Sequence, residues 1–212
     1  MATVVVFGAT GYSGQAIAAE LARRGHQVTG VSRSADPDVT KDGVRLVRGS
    51  VEDPAGVAEL AKGADVVVVA VHATGGERKL TEYLPDLLAA TSGVRIGFVG
   101  GAGSLKVAED GPLLVETPDF PDQFKDEAST HKAVLDALRA TDESVDWFYV
   151  SPAAGYGSYA PGETTGTFRT GGDVLLTDAE GNSRLSAGDL AIAFADEIER
   201  PAHRRARFHL AY

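Results

Sequence analysis

Three glycines near the start of the chain have a spacing that suits phosphate binding. The segment Gly8–Gly14 reads G-x-x-G-x-x-G and lies between a β-branched run and a segment of helical periodicity. Gly8 would permit a tight turn, Gly11 a close approach of the backbone to a pyrophosphate, and Gly14 close packing of a helix on a strand. Free N–H groups at the start of that helix would attract an anion. The pattern predicts a dinucleotide site formed by Gly8, Thr10, Gly11, Tyr12, Ser13 and Gly14, with a purely structural turn as the alternative.

A cation follows the second β-branched run, at the position that distinguishes the two nicotinamide dinucleotides. NAD sites usually carry an acidic residue there, which accepts a hydrogen bond from the ribose 2′-hydroxyl. This chain has Arg33 between Ser32 and Ser34, and Asp36 comes a few residues too late. A guanidinium is well suited to a 2′-phosphate. We therefore predict NADP rather than NAD, unless Arg33 is only a solvated turn residue.

Short apolar runs alternate with segments of helical periodicity, which indicates βαβ units. The predicted strands are Thr3–Phe7, Gln27–Val31, Val44–Val47, Asp65–Val71, Val94–Val99, Val145–Val150 and Ala206–Ala211. The predicted helices are Gln15–Arg24, Pro54–Lys62, Glu77–Ala90, Asp126–Thr141 and a last one within Ser186–Glu199. Strands that are apolar on both faces need helices on both sides, so the pattern predicts a Rossmann-type α/β fold with a doubly wound, mostly parallel sheet. We expect one domain over residues 1–212, with a small substrate-side region at about 151–185.

Two long segments rich in glycine and proline interrupt this alternation, at Gly100–Pro121 and Ser151–Gly172. Each follows a predicted strand and would emerge at the carboxyl edge of the sheet, where ligands bind in open α/β folds. Tyr156 and Tyr159 in the second segment could stack on a substrate or donate a proton, although loop aromatics more often only pack.

Several segments along nearly the whole chain match motifs of one known family. They are GATGYSG at Gly8–Gly14, Gly49–Asp53, Gly63–Val68, Val99–Leu105, Ser151–Ala153, Pro161–Glu163 and Asp189–Ala193. Together they resemble the atypical short-chain dehydrogenases/reductases, in the subgroup of NmrA-like and flavin- and biliverdin-reductase-like proteins. The resemblance implies a NAD(P)-binding Rossmann fold with the adenine beside Ser50 and Val51. It also implies that strand ends line the nicotinamide, at Ala70, Val71, Gly100, Ser151 and Pro152.

The proton relay typical of this family is missing from the sequence. Ordinary members carry Tyr-x-x-x-Lys on the fifth helix, where the lysine lowers the pKa of the tyrosine that exchanges the substrate proton. No tyrosine of this chain has a lysine four positions later. Lys132 could fill the lysine position, but its partner would then be Ala128. The adjacent His131 must point in a different direction from Lys132 on a helix.

Ser104, His72 and Lys132 are the candidate catalytic residues. Ser104 follows the predicted fifth strand, near the substrate-polarising hydroxyl of the family, although it could equally bond to its own backbone. His72 follows the fourth strand and could line the nicotinamide or only cap a loop. No G-x-S-x-G motif supports a serine nucleophile.

Without a tyrosine acid, we expect hydride transfer to a small conjugated acceptor such as a flavin, quinone or tetrapyrrole. The same absence leaves open a second class, a non-catalytic protein that senses NADP(H) and binds a partner. A sugar-nucleotide epimerase is a weaker alternative, since that chemistry normally uses the relay.

Composition excludes several other classes. With 20 Lys+Arg against 30 Asp+Glu, the net charge of −10 argues against nucleic-acid binding. The chain has no cysteine, and its five histidines are too far apart to predict a metal site. Its amino-terminal segment does not resemble a signal peptide and no apolar run would span a bilayer, so we expect a cytoplasmic monomer or homodimer that binds a small-molecule substrate. We interpret Arg200, Arg204, Arg205 and Arg207 as solvated charges that guard a terminal edge strand.

Overall fold

The computed structural model describes residues 1–36 and 39–212 of the chain. Within these ranges it contains nine strands, five α-helices and one short 3-10 helix. In chain order they are β1 (Thr3–Phe7), α1 (Tyr12–Arg23), β2 (Gln27–Ser32), β3 (Thr40–Lys41), β4 (Val44–Arg48), α2 (Pro54–Ala61), β5 (Val66–Val69), α3 (Leu80–Ala90), β6 (Arg95–Val99), the 3-10 helix (Leu114–Glu116), α4 (Asp122–Arg139), β7 (Trp147–Ser151), β8 (Arg169–Gly171), α5 (Ala187–Glu199) and β9 (Ala206–Ala211).

The strands form one sheet in the order β3-β4-β2-β1-β5-β6-β7-β9-β8. Every pairing between β4 and β9 in that order is parallel, whereas the short outer strands β3 and β8 pair antiparallel to their neighbours. After β1 the chain builds outward through β2 and β4, and it then returns to place β5 on the other side of β1. This reversal between β1 and β5 opens a crevice at the carboxyl ends of the strands.

Alternate residues of β1 supply two separate hydrophobic cores, because successive side chains of a strand point to opposite faces. Val4 and Val6 pack in the core that contains residues of α1 and α5. Val5 and Phe7 pack in the core that contains residues of α2, α3 and α4. The prediction of a Rossmann-type, doubly wound sheet with helices on both faces is therefore confirmed. No helix in the described ranges combines the length and apolar character needed to cross a membrane.

The carboxyl-terminal part of the sheet differs from the prediction. β8 lies within a segment interpreted as irregular, and it pairs with β9, so β9 is not an edge strand. The interpretation of solvated arginines is wrong for Arg207, whose side chain is only 2% exposed. Its guanidinium donates hydrogen bonds to Asp173 and Ser104. β8 escaped prediction because its three residues, Arg-Thr-Gly, carry no apolar alternation.

A buried ion pair joins the start of β6 to the end of α5. Arg95 Nη2 lies 2.5 Å from Glu197 Oε1, and Arg95 Nη1 donates to the Glu197 carbonyl oxygen at 2.9 Å. Glu197 also accepts from the backbone N–H of His203 at 2.9 Å. Burial alone would raise the pKa of Glu197, but the hydrogen bonds from Arg95 and His203 outweigh burial and lower it. Both side chains are more than nine-tenths buried, so each depends on the other for most of its charge compensation.

We expect Glu197→Gln to lower the free energy of unfolding by about 3 kcal/mol at neutral pH. The buried Arg95 would lose its closer carboxylate partner and keep only Asp146, whose Oδ1 lies 3.6 Å from Arg95 Nε. Since folding lowers the pKa of Glu197, its stabilisation is present above the unfolded pKa of roughly 4.3 and is lost as the pH falls through the folded value. Urea unfolding as a function of pH checks both statements.

The matched control is Glu59→Gln, which breaks the exposed pair between Glu59 and Lys62. An exposed pair contributes less than about 1 kcal/mol. Equal losses in the two variants would contradict the role given to the buried pair.

Candidate functional site

The turn after β1 is packed too tightly for side chains. Gly8 has a φ of +82°, and a Cβ there would lie 2.1 Å from the carbonyl oxygen of Ala70 at the end of β5. A Cβ on Gly14 would lie 2.1 Å from the carbonyl oxygen of Gly8. The Gly8 N–H donates to the Val31 carbonyl oxygen of β2 at 2.9 Å. Two glycines thus allow β1, β2, β5 and α1 to meet at one point, as the spacing predicts.

This packing directs the amino terminus of α1 into the crevice. The helix begins at Tyr12, and its N-cap residue, Gly11, makes no side-chain capping bond. The first turn of an α-helix leaves backbone N–H groups without intrahelical partners. It carries no acidic residue here, so nothing on α1 competes with a bound anion. The glycine turn leaves space that any side chain would fill, and the terminus of α1 beside it is uncapped. Together these two features fit the pyrophosphate of a dinucleotide.

The crevice is a cleft of about 950 Å³. Most residues predicted to hold the cofactor line it, namely Gly8, Thr10, Gly11, Tyr12, Ser13, Arg33, Ser50, Val51, Ala70, Val71, Gly100 and Pro152. The cleft lies toward the upper end of the range for small-molecule sites. Its size leaves room for a second ligand beside a dinucleotide.

Other predicted residues lie outside the cleft. Ser104 is buried, and its Oγ accepts a hydrogen bond from Arg207 Nη1 at 3.0 Å. The hydroxyl of Ser151 is 3.3 Å from the same nitrogen. Lys132 pairs with Asp136 at 2.7 Å, on the outer surface of α4. Ser104 and Lys132 are therefore not placed to touch a ligand, because one anchors a buried guanidinium and the other faces solvent.

Hydroxyls and a cation surround the end of β2. Thr10 Oγ1 lies 2.8 Å from Ser32 Oγ, which lies 3.2 Å from Ser34 Oγ. Arg33 is exposed, and its Nη2 donates to the carbonyl oxygen of Gly75 at 3.3 Å. The guanidinium therefore lies at the rim of the cleft, where it makes one weak hydrogen bond to the described part of the chain.

Glu127 on α4 is a cleft residue that the sequence interpretation missed. It lies between two histidines, with Oε1 3.3 Å from His72 Nδ1 and 3.2 Å from His131 Nε2. Burial alone would raise the pKa of Glu127, but hydrogen bonds from His131, His72 and Thr74 hold it well below its usual range. A signal was present, since Glu127, His131, Val134 and Leu138 recur at i, i+4, i+7 and i+11 on one helical face.

Aromatic rings form the wall of the cleft beyond the glycine turn. The rings of Tyr12 and Tyr156 meet edge to face at 5.4 Å, and Tyr156 OH lies 2.7 Å from Ser13 Oγ. Phe124 and Tyr159 stack with their centroids 5.7 Å apart. Tyr159 is 64% exposed. These two rings leave an apolar surface open to a ligand in the cleft.

Within the described residues, no group of three or more His, Cys, Asp or Glu side chains could hold a metal ion. The cluster around Glu127 is held instead by hydrogen bonds and charge.

A family model described as NAD(P)H-binding matches residues 8–201. The chain belongs to this NAD(P)H-binding family. The match begins at the glycine turn and spans both irregular segments. It confirms the expected resemblance to an NAD(P)-binding family.

Individual relatives of this NAD(P)H-binding chain carry different descriptions. The "uncharacterized protein YwnB" of Bacillus subtilis is 36% identical over 208 residues, which cover 96% of this chain and 95% of that protein. A solved "putative NADH-flavin reductase" of Streptococcus pneumoniae is 30% identical with a TM-score of 0.82, covering 100% and 99% of the two chains. A "putative epimerase" of Bacteroides thetaiotaomicron is also 30% identical, with a TM-score of 0.87 and coverage of 100% and 98%.

We expect Gly14→Ala to raise the Kd for NADPH at least about tenfold, or about 1.4 kcal/mol, because the new Cβ would push α1 away from Gly8. Nucleotide fluorescence measures the affinity, and circular dichroism verifies the fold. The control is Gly172→Ala, where a Cβ meets nothing within 4 Å. Parent-like binding by Gly14→Ala would contradict the assignment of the turn.

Proposed function

We propose that this protein is an NADP-dependent oxidoreductase that delivers hydride to a small, planar, conjugated acceptor such as a quinone or a flavin. The observation that carries the proposal is that one cleft contains both a cofactor-binding turn and an open aromatic pair. The glycine turn at the start of α1 suits the cofactor, and the open pair of Phe124 and Tyr159 suits a flat ring. The relative described as a "putative NADH-flavin reductase" supports this acceptor class.

The preference for NADP rests on Arg33. Its guanidinium is exposed at the cleft rim, and among the described residues it has one long hydrogen bond, to Gly75. A turn toward a 2′-phosphate would therefore break little within this part of the chain. Ser32 and Ser34 add hydroxyl donors beside it. Asp36 does not line the cleft, so its carboxylate is not placed as the acceptor that a ribose 2′-hydroxyl usually meets in NAD sites.

Different residues along the cleft would bind different parts of the cofactor. The α1 terminus would hold the pyrophosphate, Ser50 and Val51 would flank the adenine, and the strand ends at Ala70 and Gly100 would lie beside the nicotinamide. A bound NADPH would supply the hydride. Phe124 and Tyr159 would hold the acceptor flat and exclude water from its face.

Two alternatives stay open. A protein that binds NADP(H) without turnover is favoured by the lack of a Tyr-x-x-x-Lys pair in the sequence. Epimerase chemistry is suggested by the description of one structural relative, but it normally depends on the same missing pair. The acceptor test below separates turnover from binding alone.

Arg33→Ala should weaken NADPH binding by about 10- to 100-fold, the loss expected for one charge-assisted hydrogen-bond partner. NADH lacks the 2′-phosphate, so its affinity should stay within about twofold of the parent value. Calorimetric titration of both nucleotides measures the difference. Equal affinities of the parent protein for NADPH and NADH would refute the NADP assignment.

Purified protein should oxidise NADPH in the presence of at least one member of a panel of quinones, flavins and biliverdin. Tyr159→Ala should raise KM for that acceptor by about three- to tenfold, since an aromatic pair contributes about 0.5–1.5 kcal/mol. Tyr159→Phe keeps the ring and serves as the control. Tight NADPH binding with no turnover across the panel would favour the sensing protein instead.

A further inference from the structure

Three ionisable side chains converge on one edge of the cleft, where the nicotinamide end of the cofactor is expected. His72 follows β5, and Glu127 and His131 lie one turn apart on α4. All three line the cleft. The three side chains differ in how exposed they are and in how many hydrogen-bond partners they have, and these differences separate their roles.

Glu127 is fully engaged. Its Oε1 accepts from the N–H of Ala73 at 2.8 Å, and its Oε2 accepts from the N–H and hydroxyl of Thr74 at 2.9 and 2.6 Å. With two histidines added, the carboxylate has five partners. A carboxylate held in this way stays ionised and is a poor proton donor, so Glu127 acts as an anchor.

His131 is also confined. Its side chain is 8% exposed, its Nε2 faces Glu127, and its Nδ1 lies 3.3 Å from the hydroxyl of Tyr149. The Tyr149 ring is buried beneath Gly100, where a Cβ would lie 2.0 Å from it. Both ring nitrogens of His131 are therefore occupied, and the ring has no room to swing toward a ligand.

Unlike the other two side chains, His72 is open to solvent. Its side chain is 87% exposed, and only Nδ1 faces Glu127, so Nε2 is left to meet a ligand or water. The backbone beside it is fixed, because the N–H of Ala73 is bound to the same carboxylate. The imidazole is thus open to proton exchange with solvent, while Glu127 holds both its Nδ1 and the backbone of the next residue.

We propose that His72 is the proton donor of the reaction and that Glu127 positions it. This inference rests on the proposed function. When a quinone is reduced, the Nε2–H bond of protonated His72 breaks and an O–H bond forms on the quinone. The hydride supplied by NADPH brings the two electrons, so one hydride and one proton yield the hydroquinone. The exposed imidazole then regains its proton from water.

The surrounding charges set the direction of the pH dependence. Glu127 raises the pKa of His72 through its hydrogen bond. His131 lies beyond Glu127 on α4, Tyr149 of β7 packs behind His131, and Arg33 reaches the same loop at Gly75. A raised pKa keeps the imidazolium populated near neutrality. The rate of quinone reduction should therefore fall as the pH rises through the pKa of His72.

We expect His72→Gln to lower kcat for quinone reduction by about 100-fold, within the range for loss of a general acid, and to abolish this pH dependence. NADPH affinity should stay near the parent value. The control is His203→Gln, since His203 pairs with Glu197 at 2.7 Å, outside the cleft. A His72→Gln enzyme with the parent rate and pH profile would overturn the proposal.

NMR titration of the imidazole Cε1–H signals in cofactor-free protein gives a readout independent of turnover. The pKa of His72 should lie above about 6.5 in the parent protein and fall in Glu127→Gln. An unchanged pKa would overturn the positioning role of Glu127. A parent protein inactive on every acceptor would overturn the proposed function and the donor role together, whereas an active parent with an unaffected His72→Gln would overturn the donor role alone.

Discussion

The close contact between the turn at Gly8 and the first turn of α1 determines where every other part of the site lies. A Cβ at Gly8 or at Gly14 would come within 2.1 Å of a carbonyl oxygen, so the contact exists only because both residues lack one. It brings the end of β1 against Ala70, the residue after β5, and directs the uncapped terminus of α1 into the crevice. Without this contact the sheet could still form, but its reversal point would not present backbone N–H groups to a phosphate.

A net charge of −10 makes the neutralisation of carboxylates in the cleft as important as the supply of cations. Glu52 and Glu127 both line the cleft, and backbone N–H groups bind both. Glu52 accepts from Glu77 and Arg78, and Glu127 accepts from Ala73 and Thr74. The two glutamates therefore clamp the two ends of one loop, and the N–H groups that they bind offset part of their negative charge. The same hydrogen bonds thus order the loop and reduce the repulsion between these carboxylates and a bound anion.

The sequence was most informative where periodicity and turn chemistry act locally. β1 and β9 have the predicted ends, and the glycine spacing predicted the packing of the turn because close approach leaves no choice of residue. It was least informative where a residue's role depends on distant partners. Ser104 looked like a ligand residue because of its loop, yet Arg207, more than one hundred positions later, binds its hydroxyl. Glu127 was missed because its role depends on contact with His72, which is distant in sequence. Its own segment resembles an ordinary solvated helix.

The arrangement on α4 explains why the proposed proton donor lies on a loop rather than on the helix. Family members are expected to carry a tyrosine and a lysine four residues apart on this helix, a pair that can itself exchange a proton. Here the polar residues four apart that face the cleft are Glu127 and His131, and their hydrogen bonds are already filled. Such a pair can fix geometry and charge but has no proton free to give. The acid then has to come from another element that lines the cleft. In the described part of the chain, the exposed imidazole in contact with Glu127 is His72, and this contact is what favours His72 over the loop tyrosines.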